Sequence, residues 1–311
     1  MNGRNRYLVT RSGWYAGTRA WASLSLASMF LFPPVLVVIG ALLQPVLGGG
    51  AIGLAVVLAF VVFFGGVVAL WVFLIKGSSA VERAAKAWLG GDYASAIAAC
   101  HGPLLTVFRA DVRTKALHVL GLCAEANGDF AEAEDLFRVA YHAVPAAAAP
   151  TRKRHARVLM LSHRAIALVA LGRIAEADAA VREASAMYPQ MNRPGVLDAF
   201  TDDASWGMGP IALNTALVTL EPGRDPRAML TLATVVLLAA SQRPRDAIDV
   251  LERERMLVSR GLLPREQELL ALADARSRAL LAGGGPMRAA ALATADATHP
   301  AAWARRVLPE G

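Results

Sequence analysis

Residues 117–145 read LHVLGLCAEANGDFAEAEDLFRVAYHAVP, and this stretch decides the fold. Leu117, Leu120 and Gly121 share one face of a helix, and Ala133, Phe137 and Ala140 share one face of a second. Asn127-Gly128-Asp129 supplies a tight turn between them, with Asp129 at the N-cap position, and Pro145 ends the second helix. Gly121 and Ala133 are small where two helices would cross closely, and Phe137 is large enough to fill the space between neighbouring pairs. One helical hairpin with a built-in close approach is the unit that this spacing predicts.

The unit recurs on both sides. Upstream, Gly91-Asp92-Tyr93-Ala94-Ser95-Ala96 echoes Gly128-Asp129-Phe130-Ala131-Glu132-Ala133. Downstream, Leu161, Ala165, Leu168, Ala177, Val181, Ala184 and Pro189 occupy matching positions around Leu171-Gly172-Arg173. Ala96, Ala133 and Ala177 therefore mark successive second helices at steps of 37 and 44 residues. The longer step is explained by an insertion at Ala146-Ala147-Ala148-Ala149-Pro150. Arg243-Pro244-Arg245-Asp246-Ala247-Ile248 resembles another turn and helix start, with room for a divergent pair around Ala212. A last pair is expected over 264–282 and 286–298, with Pro286 opening its second helix, and residues 301–311 are expected to be a C-terminal tail.

These residues and their spacing resemble the tetratricopeptide (TPR) repeat: large, Leu, Gly, then Ala, Phe, Ala and a closing Pro. The resemblance is good over 79–189 and decays over 190–300. Ala124 stands where an aromatic is usual, and Arg164 where Leu is usual. The resemblance implies stacked helical hairpins with a concave groove lined by first helices. Carried onto this sequence, it places Lys115, His118, Leu122 and Glu125, then Ser162, Ile166 and Val169, on a groove that takes a partner protein. The expected ligand is a hydrophobic or helical segment, since no clamp of Lys and Asn residues is evident.

Ahead of the repeats lies a different chemistry. No charged residue occurs between Arg19 and Lys76. Residues 23–43 and 51–75 are each long enough, as helices, to cross about 30 Å of hydrocarbon. Gln44-Pro45-Val46-Leu47-Gly48-Gly49-Gly50 between them is rich in helix breakers. A transmembrane hairpin over 23–75 is the expectation, its first span kinked or re-entrant at Pro33-Pro34. Arg4, Arg6, Arg11 and Arg19 precede the first span, in a basic tail over 1–22, and Lys76, Arg83 and Lys86 follow the second. The positive-inside rule then puts both termini and the helical domain in the cytoplasm, on an inner membrane. The layout resembles that of heme-biosynthesis-associated inner-membrane proteins with two N-terminal spans and TPR-like repeats.

Composition agrees. Of 311 residues 55% are apolar, and the mean hydropathy is +0.41, high for a chain that folds wholly in water. Four N-terminal arginines supply more than half of the formal net charge of +7, so a nucleic-acid partner is not indicated. Two cysteines, Cys100 and Cys123, exclude a disulfide framework and are expected as buried free thiols.

Catalytic signatures are absent from the sequence: no phosphate-binding Gly loop, no H-E-x-x-H, no C-x-x-C pair and no nucleophile elbow. None of the six histidines is spaced with a carboxylate as a metal ligand pair. The expectation is thus no catalytic residue, no metal and no cofactor. The spans contain no ionisable residue, which argues against a conducting pore. Arg152, Lys153, Arg154 and Arg157 form the one basic run of the domain, a candidate contact for anionic lipid. The function so expected is a membrane-tethered, TPR-like scaffold for protein–protein interaction. The alternative is an accessory subunit of a membrane biogenesis or transport complex.

Overall fold

The computed structural model describes residues 5–10, 13–14, 50–105, 110–144, 150–187, 225–282 and 300–308, with single positions between 20 and 45; side chains are not described throughout these ranges, 67–78 being the longest gap. The expected pair around Ala212 and the second helix at 286–298 lie outside the described residues. The fold is all-helical, apart from a two-residue antiparallel ladder pairing Val9 with Trp14 and Thr10 with Gly13.

Ten helices are named here in chain order: α1 Gly50–Leu89, α2 Tyr93–Leu104, α3 Ala110–Asn127, α4 Phe130–Ala143, α5 Pro150–Ala170, α6 Ile174–Ala186, α7 Pro226–Ala240, α8 Pro244–Gly261, α9 Pro264–Leu281 and α10 Pro300–Val307. Each of α2 to α9 packs on its predecessor. The odd-numbered helices also meet one another, α1 with α3, α5 with α7 and α7 with α9. The result is a stack of hairpins: α1/α2, α3/α4, α5/α6 and α7/α8, with α9 beginning a further layer.

One turn builds every hairpin. Gly91, Gly128, Gly172 and Gln242 have φ of 80°, 81°, 72° and 56°. In each case the following amide reaches back five residues: Asp92 N–H to the Ala87 carbonyl, Asp129 to Ala124, Arg173 to Leu168 and Arg243 to Leu238, at 2.8–2.9 Å. The left-handed residue ends the first helix and satisfies its last carbonyls. The residue after it starts the second helix, accepting from Ala96, Ala133, Ala177 and Ala247 in turn. Those four alanines are all buried. The three marker positions of the sequence, and the fourth suspected at Ala247, thus occupy one structural position.

The core follows the stack. Phe137, Leu117, Leu120, Leu136, Met160, Leu161, Ile166, Leu168, Met229 and Leu230 are among the largest fully buried side chains. At Gly121 a Cβ would come within 2.6 Å of Phe137 Cε1, so the close crossing expected at Gly121 is present. Arg164, where the resemblance expects Leu, donates from Nε to Glu134 Oε1 at 2.8 Å and ties α5 to α4. The apolar run over 228–240 forms α7, a buried 15-residue helix. At about 1.5 Å per residue it is too short for a bilayer.

Helix α1 runs unbroken for 40 residues through Lys76-Gly77-Ser78 and joins the apolar stretch to the repeats. Two expectations are corrected. Within the N-terminal tail, residues 5–7 are docked: Asn5 and Tyr7 are buried, and their polar groups bond to α4 and its turn. Residues 300–308 are not a tail: 300–307 form a helix, and Trp303, Ala304, Val307 and Leu308 are buried.

Between 20 and 45 the described residues after Arg19 are helical, Pro33 and Pro34 included. Among the described residues, no helix is long and apolar enough to cross a membrane. The described side chains of α1 ahead of the repeats form an uninterrupted series only over 56–66, about half of what a bilayer needs. Most of that series is nonetheless exposed and apolar: Val56, Val57, Leu58, Phe60, Val61, Phe63 and Phe64, with Phe60 at 62% exposure, while Ala59 is buried. Leu24, Leu31, Val35, Val38, Ile39 and Leu42 are likewise exposed.

Candidate functional site

The first-helix face is the candidate site, and its residues are interior. Lys115, His118, Leu122 and Glu125 on α3, and Ser162, Ile166 and Val169 on α5, are all buried. The open groove expected at these positions is therefore corrected: they form a covered seam between α3 and α5. His163 on α5 meets Glu125 Oε2 through Nδ1 at 2.9 Å, with both side chains buried. The His163 ring stacks on Phe137, with centroids 5.1 Å apart. His118 stands edge-on to both, 5.6 Å from His163 and 5.8 Å from Phe137. Ser162 Oγ donates to its own helix, at the Val158 carbonyl, 2.8 Å away. A buried polar contact of this kind costs free energy wherever its groups lose their partners, so this seam is packed for one arrangement.

A short helix covers part of the same face. Helix α10 packs on α9 and α5. Arg306 Nη1 donates to the Asn127 carbonyl, at the end of α3, at 3.1 Å. Trp303 stacks on the Arg265 guanidinium at 5.0 Å, and Trp88 near the end of α1 stacks at 4.7 Å. Helix α10 thus lies on α5 and α9 and reaches the end of α3, each the first helix of a layer. The Arg265 Nε and both Nη atoms are buried without a hydrogen-bond acceptor. Glu266 Oε1 lies 4.0 Å away, its Oε2 accepting from the Leu263 amide. The Glu266 carboxylate and the two indole faces thus surround this cation, which a π face also attracts electrostatically.

Beside it, the N-terminal arm grips the α3–α4 turn. Arg6 pairs with Asp129 and lies 3.7 Å from Glu132. The Tyr7 hydroxyl donates to Asp129 and accepts from Asn127 Nδ2 at 3.0 Å. Asn5 Nδ2 donates to the Glu132 carbonyl at 3.0 Å and reaches Asp135 Oδ2 at 3.3 Å. Asp129 sits at the expected N-cap, but its carboxylate makes no cap bond; Arg6 and Tyr7 engage it. Asp92 does cap, accepting from the Ser95 amide at 3.0 Å, and hydrogen bonds from the Ser95 hydroxyl and then its amide lower the Asp92 carboxyl pKa. Arg6, Tyr7, Val9, Ile97, His101, Asn127 and Asp129 line an open cavity of about 590 Å³.

Cys100 and Cys123 are free and buried. Burial pushes the Cys123 thiol up to about 12, against a smaller opposing pull from Arg265. Cys100 is raised by burial and by its proximity to Cys123. Neither is poised as a nucleophile. Among the described residues, no group of three His, Cys, Asp or Glu is placed to hold a metal ion.

Of the basic run, Arg154 is exposed, Lys153 and Arg157 are half-buried, and the Arg152 side chain lies outside the described residues. Arg157 stacks over the Tyr141 ring at 5.1 Å. The sequence did not single out Arg265, Trp303, Tyr7 or Arg306. Trp303, with Ala304, Val307 and Leu308 at helical spacing, was the one signal available for them.

No family model matches the chain, and no curated protein or solved structure proved significantly similar to it.

Proposed function

We propose that the chain is a membrane-tethered, TPR-like scaffold that binds other proteins through its stacked helical hairpins. The carrying observation is the division of large apolar side chains: among the described residues from Leu24 to Phe64 most are exposed, and beyond Val81 they are mostly buried. Exposed apolar surface in water costs about 25 cal/mol per Å², a cost that lipid removes. The charge-free stretch from residue 20 to 75 supplies the length that two spans require. Docking of residues 5–7 on the α3–α4 turn supports placing both ends of this stretch on one side of the bilayer. The flanking arginines favour the cytoplasmic side.

Carbonate washing of membranes tests the anchor: the full chain is expected in the pellet, and release into the supernatant rejects the tether. Protease treatment of inverted vesicles is expected to digest the helical domain, and protection of that domain reverses the orientation. Replacing residues 20–75 with an unrelated two-span hairpin separates a scaffold from a subunit that acts inside the membrane. A scaffold keeps its crosslinked partners after the exchange, and an intramembrane subunit loses them.

A further inference from the structure

We infer that residues 5–7 are a releasable strap and that Asp129 switches between two bonds, holding the strap in one state and capping α4 in the other. The inference concerns how the chain holds its own N-terminal arm and does not rest on the scaffold reading.

Two turns carry it, because their backbones agree and their side chains do not. Asp92 and Asp129 each follow a left-handed glycine and stand just ahead of the second helix of a hairpin. Their φ and ψ are nearly the same, −86° and 76° for Asp92 and −85° and 60° for Asp129. The Asp92 carboxylate caps α2, accepting from the amide three residues on, that of Ser95, at 3.0 Å. Asp129 stands three residues ahead of Glu132 on a matching backbone, so side-chain rotation opens the same bond to it, yet it makes no cap bond. Its Oδ2 instead receives Arg6 and the Tyr7 hydroxyl. An aspartate cap stabilises a helix start. The docked strap thus occupies a group for which α4 has its own use.

The hold on the strap divides into a part that salt weakens and a part that it leaves. The Arg6 side chain is 60% exposed, and its partners Asp129 and Glu132 are half-buried, so this pairing is screened by salt. Asn5 and Tyr7 are buried. Asn5 Nδ2 donates to the Glu132 carbonyl, and the Tyr7 hydroxyl accepts from Asn127. Release forfeits these contacts and uncovers the acidic start of α4 at Asp129, Glu132 and Asp135. The cap that Asp129 then gains offsets part of the loss, which brings the docked and released states closer in free energy. In sequence the strap precedes the charge-free stretch of residues 20–75, and α1 carries that stretch into the stack. Docked, the stack holds the chain on both sides of the stretch; released, α1 alone of these two links remains.

Amide exchange, read residue by residue on the full chain in detergent micelles, is the test. The amides of Tyr7, Leu8 and Val9 are bonded within the docked strap. Arg6→Glu is expected to speed their exchange at least tenfold and to slow the Glu132 amide at least threefold, as Asp129 turns to cap it. Arg6→Glu with Asp129→Ala should keep the first effect and lose the second, because alanine cannot cap. The unmutated chain gives the same reading without a substitution. Raising salt from about 0.05 M to about 1 M, where the screening length falls to about 3 Å, should speed the strap amides and slow Glu132, each at least threefold relative to the Ser95 amide. Strap exchange unmoved by both Arg6→Glu and salt overturns the release. A Glu132 amide that stays fast once the strap has left, or that slows equally with alanine at 129, overturns the switch at Asp129.

Discussion

Gly121 on α3 and Phe137 on α4 pack so closely that one added carbon on the glycine would lie 2.6 Å from the ring. Phe137 cannot easily yield, because its other side is stacked on His163 and it is fully buried. Gly121→Ala is expected to lower the unfolding free energy by about 1–3 kcal/mol, the usual cost of overpacking. Phe137→Leu in the same chain should recover part of that loss. Denaturant melts of the single and double variants check it, and strict additivity of the two losses would contradict a direct clash.

Gln242 adopts φ of 56° in the turn that glycine builds in the three earlier hairpins. A side chain in the left-handed region costs about 1–2 kcal/mol, from which the extra chain entropy of glycine is subtracted. Gln242→Gly should therefore stabilise by about 0.5–1 kcal/mol, read as a higher melting temperature. A drop would mean that the Gln242 side chain makes a contact worth more than the strain.

The Glu125–His163 pair is buried on both sides. Removing one partner strands the other away from water, which typically costs about 1–3 kcal/mol. Glu125→Leu is expected to fall in that range, and Glu125→Leu with His163→Leu to lose less than the single change. Urea unfolding of the three chains decides it. A single variant as stable as the wild type would show that the pair contributes little.

Thiol chemistry gives a prediction with a sign. Folding holds Cys123 at about 12, well above its ordinary value of 9.0, because burial disfavours the thiolate. The stability tied to this group is therefore full below about pH 9 and is lost as pH climbs from there toward 12. Native protein at pH 8 should leave both cysteines unmodified by a disulfide reagent, and denaturant should release two reactive thiols. Rapid modification of the folded chain would place at least one sulfur at the surface.

The hairpin unit was legible in the sequence because its constraints are local. Gly128-Asp129 ends one helix and starts the next within two residues, and Ala133 four residues on must be small; a reader of residues 117–145 has all of it in view. The identity of the buried seam on α3 and α5 was legible for the same reason. Its burial was not, because it depends on contacts between hairpins far apart in sequence. The His163 partner was hidden too: Glu125 is 38 residues away, on another hairpin. Gln242 escaped notice because glutamine carries no signature of a left-handed turn. Asp129 was placed correctly and given the wrong bond, since local rules cannot foresee an arm arriving from residues 5–7.

Helix α1 carries apolar side chains at one end and the first wall of the stack at the other, without interruption. Forty residues make a rod of about 60 Å in which each residue advances the azimuth by about 100°. The heading of the helical domain is thus geared to the apolar end, as a key's bit is set by the turn of its bow. A partner seated on the stack is presented at one bearing relative to that end, and one residue inserted at 76–78 would swing it through more than a quarter turn.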